Sequence, residues 1–254
     1  MLNNKFLKIS DGFDEQITTK IYESIVSEYH SVKNIGDIGG SKPGHLNCEL
    51  SSSLDNEILN YLSQNEFYKN IEETFAINIK DYTPVIGANI NLPGSAHQHI
   101  HQDGDFHEES FIVNVALQDI NLENGAIEII LSTGHKPISY YHFLKEGHYK
   151  NKTRVIMSAG DCLLRSSNIW HRGMPNFSKK PRLMLNIVFH KLNSNIGKCL
   201  LNNGDVKSKV SITPNWYGSS ASERLKERIF TKLPWILAIK RIFFSFIRPL
   251  GDYT

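Results

Sequence analysis

At 254 residues the chain has room for one large domain with an appendage or for two smaller ones. Its 40% hydrophobic content excludes a disordered chain, and 28 basic against 26 acidic residues leave no overall field to attract nucleic acid. Three scattered cysteines (Cys48, Cys162, Cys199) exclude a disulfide framework or a Cys-rich zinc site. With no signal-peptide stretch in Met1–Ser10 and no apolar run of spanning length, the expected compartment is the cytoplasm.

The first 80 residues read as helical. Ile17, Ile21, Ile25 and Tyr29 recur four apart and predict a helix over 14–30; Ile58, Leu62, Phe67 and Ile71 predict another over 54–77. Between them, residues 35–47 carry four glycines and Pro43, the composition of a long loop.

From residue 82 the pattern changes to short β-rich runs: 82–92, 111–118, 126–131, 154–157, 161–164 and 182–190. Turn signals such as Asn124-Gly125 and Gly160 punctuate them, which predicts a sandwich or barrel rather than alternating β-α-β units. The class is therefore α+β with a mainly β core. From 222 onward two helices are predicted, about 221–230 and 233–250. This divides the chain into a domain of residues 1–221 and a helical tail of residues 222–254.

The densest chemical signal is His97-Gln-His99-Ile-His101-Gln-Asp103, followed by His107: four of the eleven histidines in eleven residues. Imidazole and carboxylate together suit Fe, Mn or Zn. In a strand His101 and Asp103 point to the same side, so both can reach one ion. An isolated HxD also reads as a polar strand end, and His99 and the His107-Glu108-Glu109 run are rival ligands. A second feature lies far along the chain: Gly160-Asp161, His171-Arg172-Gly173, Asn176, and then Arg182 opening an apolar strand eleven positions after His171. Arg182 shares a strand face with Met184 and Asn186, so it is either exposed or faces an anion inside.

Taken in order, these pieces resemble the phytanoyl-CoA dioxygenase-like (PhyH) family of Fe(II)/2-oxoglutarate-dependent oxygenases. The likeness spans about Tyr82 to His190. It rests on His101-Gln-Asp103, Glu123-Asn124-Gly125 before an apolar strand, Ser132-Thr133-Gly134-His135, Gly160-Asp161, His171 with Gly173, Asn176 and Arg182. The chain departs from the family at Ser-Thr-Gly-His, where Pro-Gly-Ser-His is commoner. The resemblance implies a double-stranded β-helix, or jelly roll, with N-terminal helices packed on it. It implies Fe(II) held by His101, Asp103 and His171, 2-oxoglutarate bound through Arg182, and O2 as oxidant. The products would be succinate, CO2 and a hydroxylated or otherwise oxidised small-molecule or lipid-linked metabolite. Retention of Asp103, where related halogenases have a small residue, favours oxidation without chloride. Asn89 and Asn91, on one face of the strand entering the HxD segment, are candidate contacts to the co-substrate; Thr133 and His135 are candidates to border the pocket. Trp170 reads as core. Two alternatives stay open: a cupin-like metalloenzyme that does not use 2-oxoglutarate, and a non-catalytic jelly-roll binding module.

Loop 35–47, turn 103–109 and stretch 137–153 are candidates to set substrate specificity; the aromatics and lysines of the last suit an anionic or sugar-like ligand, though a solvated loop is the reading favoured there. The tail is distinctive. Residues 223–248 hold seven basic and two acidic side chains, net +5, which leaves net −3 for the remainder. With its aromatics this segment fits a helix lying in a membrane interface, packing on the barrel, or contact with a second subunit.

Overall fold

A computed structural model describes residues 6–31, 44–64, 66–103, 110–194, 198, 207–214 and 221–247. Two antiparallel sheets face each other. The larger has seven strands in the order β1-β7-β4-β9-β3-β2-β10. These are β1 (Phe6–Ile9), β2 (His45–Glu49), β3 (Tyr82–Asn91), β4 (Ser110–Ala116), β7 (Cys162–Ser166), β9 (Arg182–Lys191) and β10 (Ser211–Pro214). The smaller runs β6-β5-β8, from β5 (Glu128–Ile130), β6 (Lys152–Arg154) and β8 (His171–Arg172). An antiparallel bridge between His101 and His171 extends it by the HxD segment. This is the jelly roll expected from the sequence.

Three helices cover the outer face of the large sheet: α1 (Glu15–Ser31), α2 (Ser52–Gln64) and α3 (Phe67–Phe75). Asp14 caps α1 by accepting from the Ile17 amide at 3.0 Å, and Ile17, Ile21 and Ile25 form its buried stripe. Residues 54–77 form two helices rather than one. Phe67 lies five positions after Leu62, which in an unbroken helix puts it about 140° around the axis. Breaking the helix lets Leu62 and Phe67 enter the same core. The wholly helical reading of the first 80 residues also misses β1 and β2. β2 begins inside the predicted loop 35–47, and residues 35–43 of that loop lie outside the described part.

The large sheet is sorted by its pleat. On β9, Leu183, Leu185, Ile187 and Phe189 join the outer core with α1, α2 and α3. Arg182, Met184, Asn186, Val188 and His190 alternate with them and line an internal cavity of about 490 Å³. Ala116, Ile129, Leu163 and Met184 belong to the apolar cluster that fills the rest of the sandwich interior. A third cluster, Ile130, Phe143 and Trp170, lies under α4 (Tyr140–Lys145). Trp170 is core, as its sequence position indicates.

The predicted tail forms α5 (Ala221–Lys232) and α6 (Pro234–Ile247). Helix α6 is anchored to the domain: Ser245 accepts from the Tyr141 amide at 3.2 Å, and buried Arg241 donates to the Ile100 carbonyl at 2.6 Å. Stretch 137–153 therefore receives the tail. None of its residues lines the cavity. Among the described residues no helix is long and apolar enough to cross a membrane.

Candidate metal centre

His101 and His171 face each other because their backbones exchange two hydrogen bonds, His101 N to His171 O at 2.9 Å and the reverse at 2.8 Å. Their ring centroids lie 4.4 Å apart. Each Nδ1 is spent on a main-chain carbonyl, His99 O at 2.7 Å and Ile169 O at 2.9 Å. A carbonyl only accepts, so each Nδ1 carries a proton, which leaves Nε2 of the neutral ring to present a lone pair. Both Nε2 atoms point at Asp103, 3.5 Å from Oδ1 for His101 and 3.2 Å from Oδ2 for His171. The ligand atoms of the three side chains thus converge, all within 4.8 Å of one another. With both rings neutral, a shared cation satisfies the two lone pairs and the carboxylate together. The donor set fits a divalent ion with open positions, the two-histidine, one-carboxylate arrangement.

The charges agree. Burial alone would raise the Asp103 carboxyl; the neighbouring His171 and the Arg165 guanidinium outweigh it and hold the group well below the usual carboxylate range. Burial, and next Arg165, push His171 down to about 4, so its imidazole is neutral at pH 7, as a ligand must be.

Arg165 is the functional side chain the sequence reading missed. It is 3% exposed, donates from Nη2 to Asp103 Oδ2 at 2.6 Å and from Nε to Asn114 Oδ1 at 2.8 Å. Asn114 in turn donates to Asn186 Oδ1. This chain of polar groups crosses β7, β4 and β9 and fixes the orientation of the carboxylate, the task of an outer partner at a metal site. The signal was a charge inside the strand Cys-Leu-Leu-Arg-Ser, in step with inward-facing Leu163.

Arg182 lies in the same cavity, 3% exposed, opposite Asn91 in the β3–β9 ladder. Its one bond is a 3.3 Å contact from Nη2 to the Gly125 carbonyl, while Nε and Nη1 have no partner. Burial lowers it to about 10, which still leaves it charged at pH 7. The Asn-Gly turn has a physical basis here. Gly125 adopts φ +90°, and a Cβ there would come within 2.4 Å of Asn91 Nδ2.

The other expected residues divide. Asn91 lines the cavity and donates to the Met174 carbonyl at 2.9 Å; Asn89 lines it beside Met184 in the ladder. Thr133 is corrected: its hydroxyl donates to Ile130 O at 2.8 Å and accepts from Trp170 N at 3.0 Å, so it fixes the turn before His171 and is absent from the cavity wall. His135 is exposed and also outside the cavity. Among the described residues His97 and His99 do not join the ligand group, and His107 and turn 104–109 lie outside the described part. Asn176 is fully buried, donating to Asn91 O and Lys180 O, and pins the loop ahead of Arg182.

Fold and site together define a jelly-roll protein with a two-histidine, one-carboxylate centre. Residues 61–184, which include all three candidate ligands and Arg182, match the family model described as Phytanoyl-CoA dioxygenase (PhyH). Several solved structures share the fold. AviO1 from Streptomyces viridochromogenes Tue57 is 14% identical, with 75% of this chain and 91% of that one covered and a TM-score of 0.60. The non-heme alpha-ketoglutarate-dependent carbocyclase SnoK from nogalamycin biosynthesis is 12% identical, with 83% and 92% covered and a TM-score of 0.58. The epimerase SnoN, solved in complex with Fe3+, alpha-ketoglutarate and nogalamycin RO, is 15% identical, with 74% and 80% covered and a TM-score of 0.54.

Proposed function

We propose that the chain is an Fe(II)- and 2-oxoglutarate-dependent dioxygenase that hydroxylates, or otherwise oxidises, a small-molecule or lipid-linked metabolite. One observation carries this reading. Three converging ligand atoms share a cavity with a buried guanidinium that keeps two nitrogens unpartnered. A buried unpaired cation is costly, and a carboxylate accepting from both free nitrogens removes that cost. His101, Asp103 and His171 would hold Fe(II), and Arg182 would take the distal carboxylate of 2-oxoglutarate. When bound, the iron and co-substrate supply O2 activation coupled to decarboxylation, giving succinate and CO2.

The protein's own part is positional. Arg165 fixes the Asp103 carboxylate, the two carbonyls fix the histidine tautomers, and the apolar filling keeps water from the far side of the centre. Opposite, the cavity wall includes His45, Asn47, Asn89 and Asn186, which suits a substrate rich in hydrogen-bonding groups. The relatives SnoN and SnoK are named an epimerase and a carbocyclase, so this fold accommodates oxidative outcomes besides hydroxylation.

The test is anaerobic calorimetric titration of the full chain with Fe(II), followed by succinate assay with and without 2-oxoglutarate. The expected result is stoichiometric metal binding and succinate release that needs both additions. His171→Ala should lower release by more than the roughly 10–100-fold that loss of a mere orienting partner costs. Metal binding without succinate would leave a metalloenzyme of another kind; no metal binding would leave a binding module.

A further inference from the structure

Among the described residues, the exposed large apolar side chains outside the tail are Val85, Leu122, Tyr149, Ile156 and Phe177, well separated in sequence; α5, α6 and the turn between them hold eight. Leu225 and Ile229 on α5, Leu233 in the turn, and Trp235, Ile239 and Phe243 on α6 are each 40–61% exposed. On α6 the spacing of four sets Trp235, Ile239 and Phe243 in one stripe. Leu237, Arg241 and Ser245, half a turn away, are buried against the domain. Helix α6 is therefore tied down on one side and bare on the other. A bare apolar surface of this extent marks an interaction site.

Charge selects the partner. Lys226 and Lys232 are exposed beside the Leu225–Ile229 stripe, and Lys240 borders the α6 stripe over the Phe230 and Phe244 rings, 5.6 Å from each centroid. Residues 223–248 carry net +5. Two copies meeting symmetrically through this face would set like charge against like. An anionic bilayer satisfies both features: aromatic and aliphatic side chains enter the acyl boundary, and lysines at the stripe's edge reach lipid phosphates.

We propose that the α5–α6 hairpin seats the protein on an anionic lipid surface through the face bearing Leu225, Ile229, Trp235, Ile239 and Phe243. The hairpin also touches the metal-binding segment. Arg241 holds the Ile100 carbonyl, one residue before His101, and the Phe230 and His99 ring centroids lie 6.5 Å apart. The seat is thus adjacent to the centre, whatever reaction the centre performs.

The experiment is co-sedimentation of the full chain with phosphatidylcholine vesicles, with and without phosphatidylglycerol, alongside Trp235 fluorescence. The chain should pellet with the anionic vesicles, less so at high salt, with a blue shift that Trp235→Phe abolishes. Ile239→Ser/Phe243→Ser and Lys226→Glu/Lys232→Glu should each weaken partition roughly tenfold or more while the circular dichroism spectrum is unchanged. Equal partition of wild type and both variants would overturn the proposal. So would failure to bind anionic vesicles, including the case where sedimentation equilibrium shows a dimer that both variants dissolve.

Discussion

The two faces of β9 differ in one respect above all: what their side chains have for partners. Leu185 and Ile187 on the outer face are fully buried among apolar neighbours from three helices. On the inner face Arg182 is just as buried and keeps two nitrogens without a partner, and Arg165 across the same cavity keeps Nη1 free. One face is complete by itself; the other holds buried guanidinium nitrogens that a bound anion would pair. The difference is legible in mutations. Stability should reside on the outer face and function on the inner one.

The largest stability effect belongs to the outer face. Leu185→Ala removes a side chain from a closed core and should destabilise the protein by about 3 kcal/mol. Urea unfolding measures this, and the Michaelis constant for 2-oxoglutarate should stay at the wild-type value. A shift of that constant with an unchanged unfolding midpoint would blur the two faces.

Arg182→Leu should do the reverse. Two charge-assisted hydrogen bonds of about 1.5 kcal/mol each correspond to a rise of roughly 100-fold in the 2-oxoglutarate requirement. Unfolding without co-substrate should be unchanged or slightly harder, because a buried charge with one 3.3 Å bond gives way to an apolar side chain. Marked destabilisation of the ligand-free protein would mean that Arg182 is part of the framework rather than a receptor for an anion.

This sorting also explains how much of the molecule was legible. The inner and outer faces of β3 and β9 follow from alternation over ten residues each, and α1 from its isoleucine stripe. The ligand group was legible because an ordered set of motifs resembled a family, whereas HxD alone was ambiguous. Strands β1, β2 and β10 have only four or five residues, and at that length alternation carries little information; they exist because a neighbour offers a ladder. Arg165 was obscured because a charge in an apolar run reads as an interruption, though the pleat points it inward. Thr133 was misplaced because its neighbourhood in sequence is that of a pocket turn while its hydroxyl is used up by two main-chain groups.

The smallest effect concerns a buried charge that does have its partners. Asp161 is 3% exposed, pairs with Lys8 Nζ at 2.8 Å, and accepts from the amides of Ser158 at 2.8 Å and Asp11 at 3.2 Å. It follows Gly160, whose φ of +86° turns the chain where a Cβ would come within 2.4 Å of Phe13 O. Burial acts to raise its carboxyl, but the hydrogen bonds from Lys8 and the two amides prevail and lower it below the ordinary value. A carboxylate depressed in the folded state contributes stability above its unfolded pKa, roughly 3.9, and that contribution is lost as pH falls through the lower folded value. Asp161→Asn should therefore cost about 1–2 kcal/mol at pH 7, and the gap from wild type should close as unfolding is measured at successively lower pH below about 4. A gap that stays constant with pH would show that the amide fails by its shape in the turn and that the charge contributes nothing. Because Asp161 lies outside the cavity and has its partners in place, the 2-oxoglutarate requirement should not move in either case. That sets it apart from Arg182, an equally buried charge with two nitrogens unpartnered.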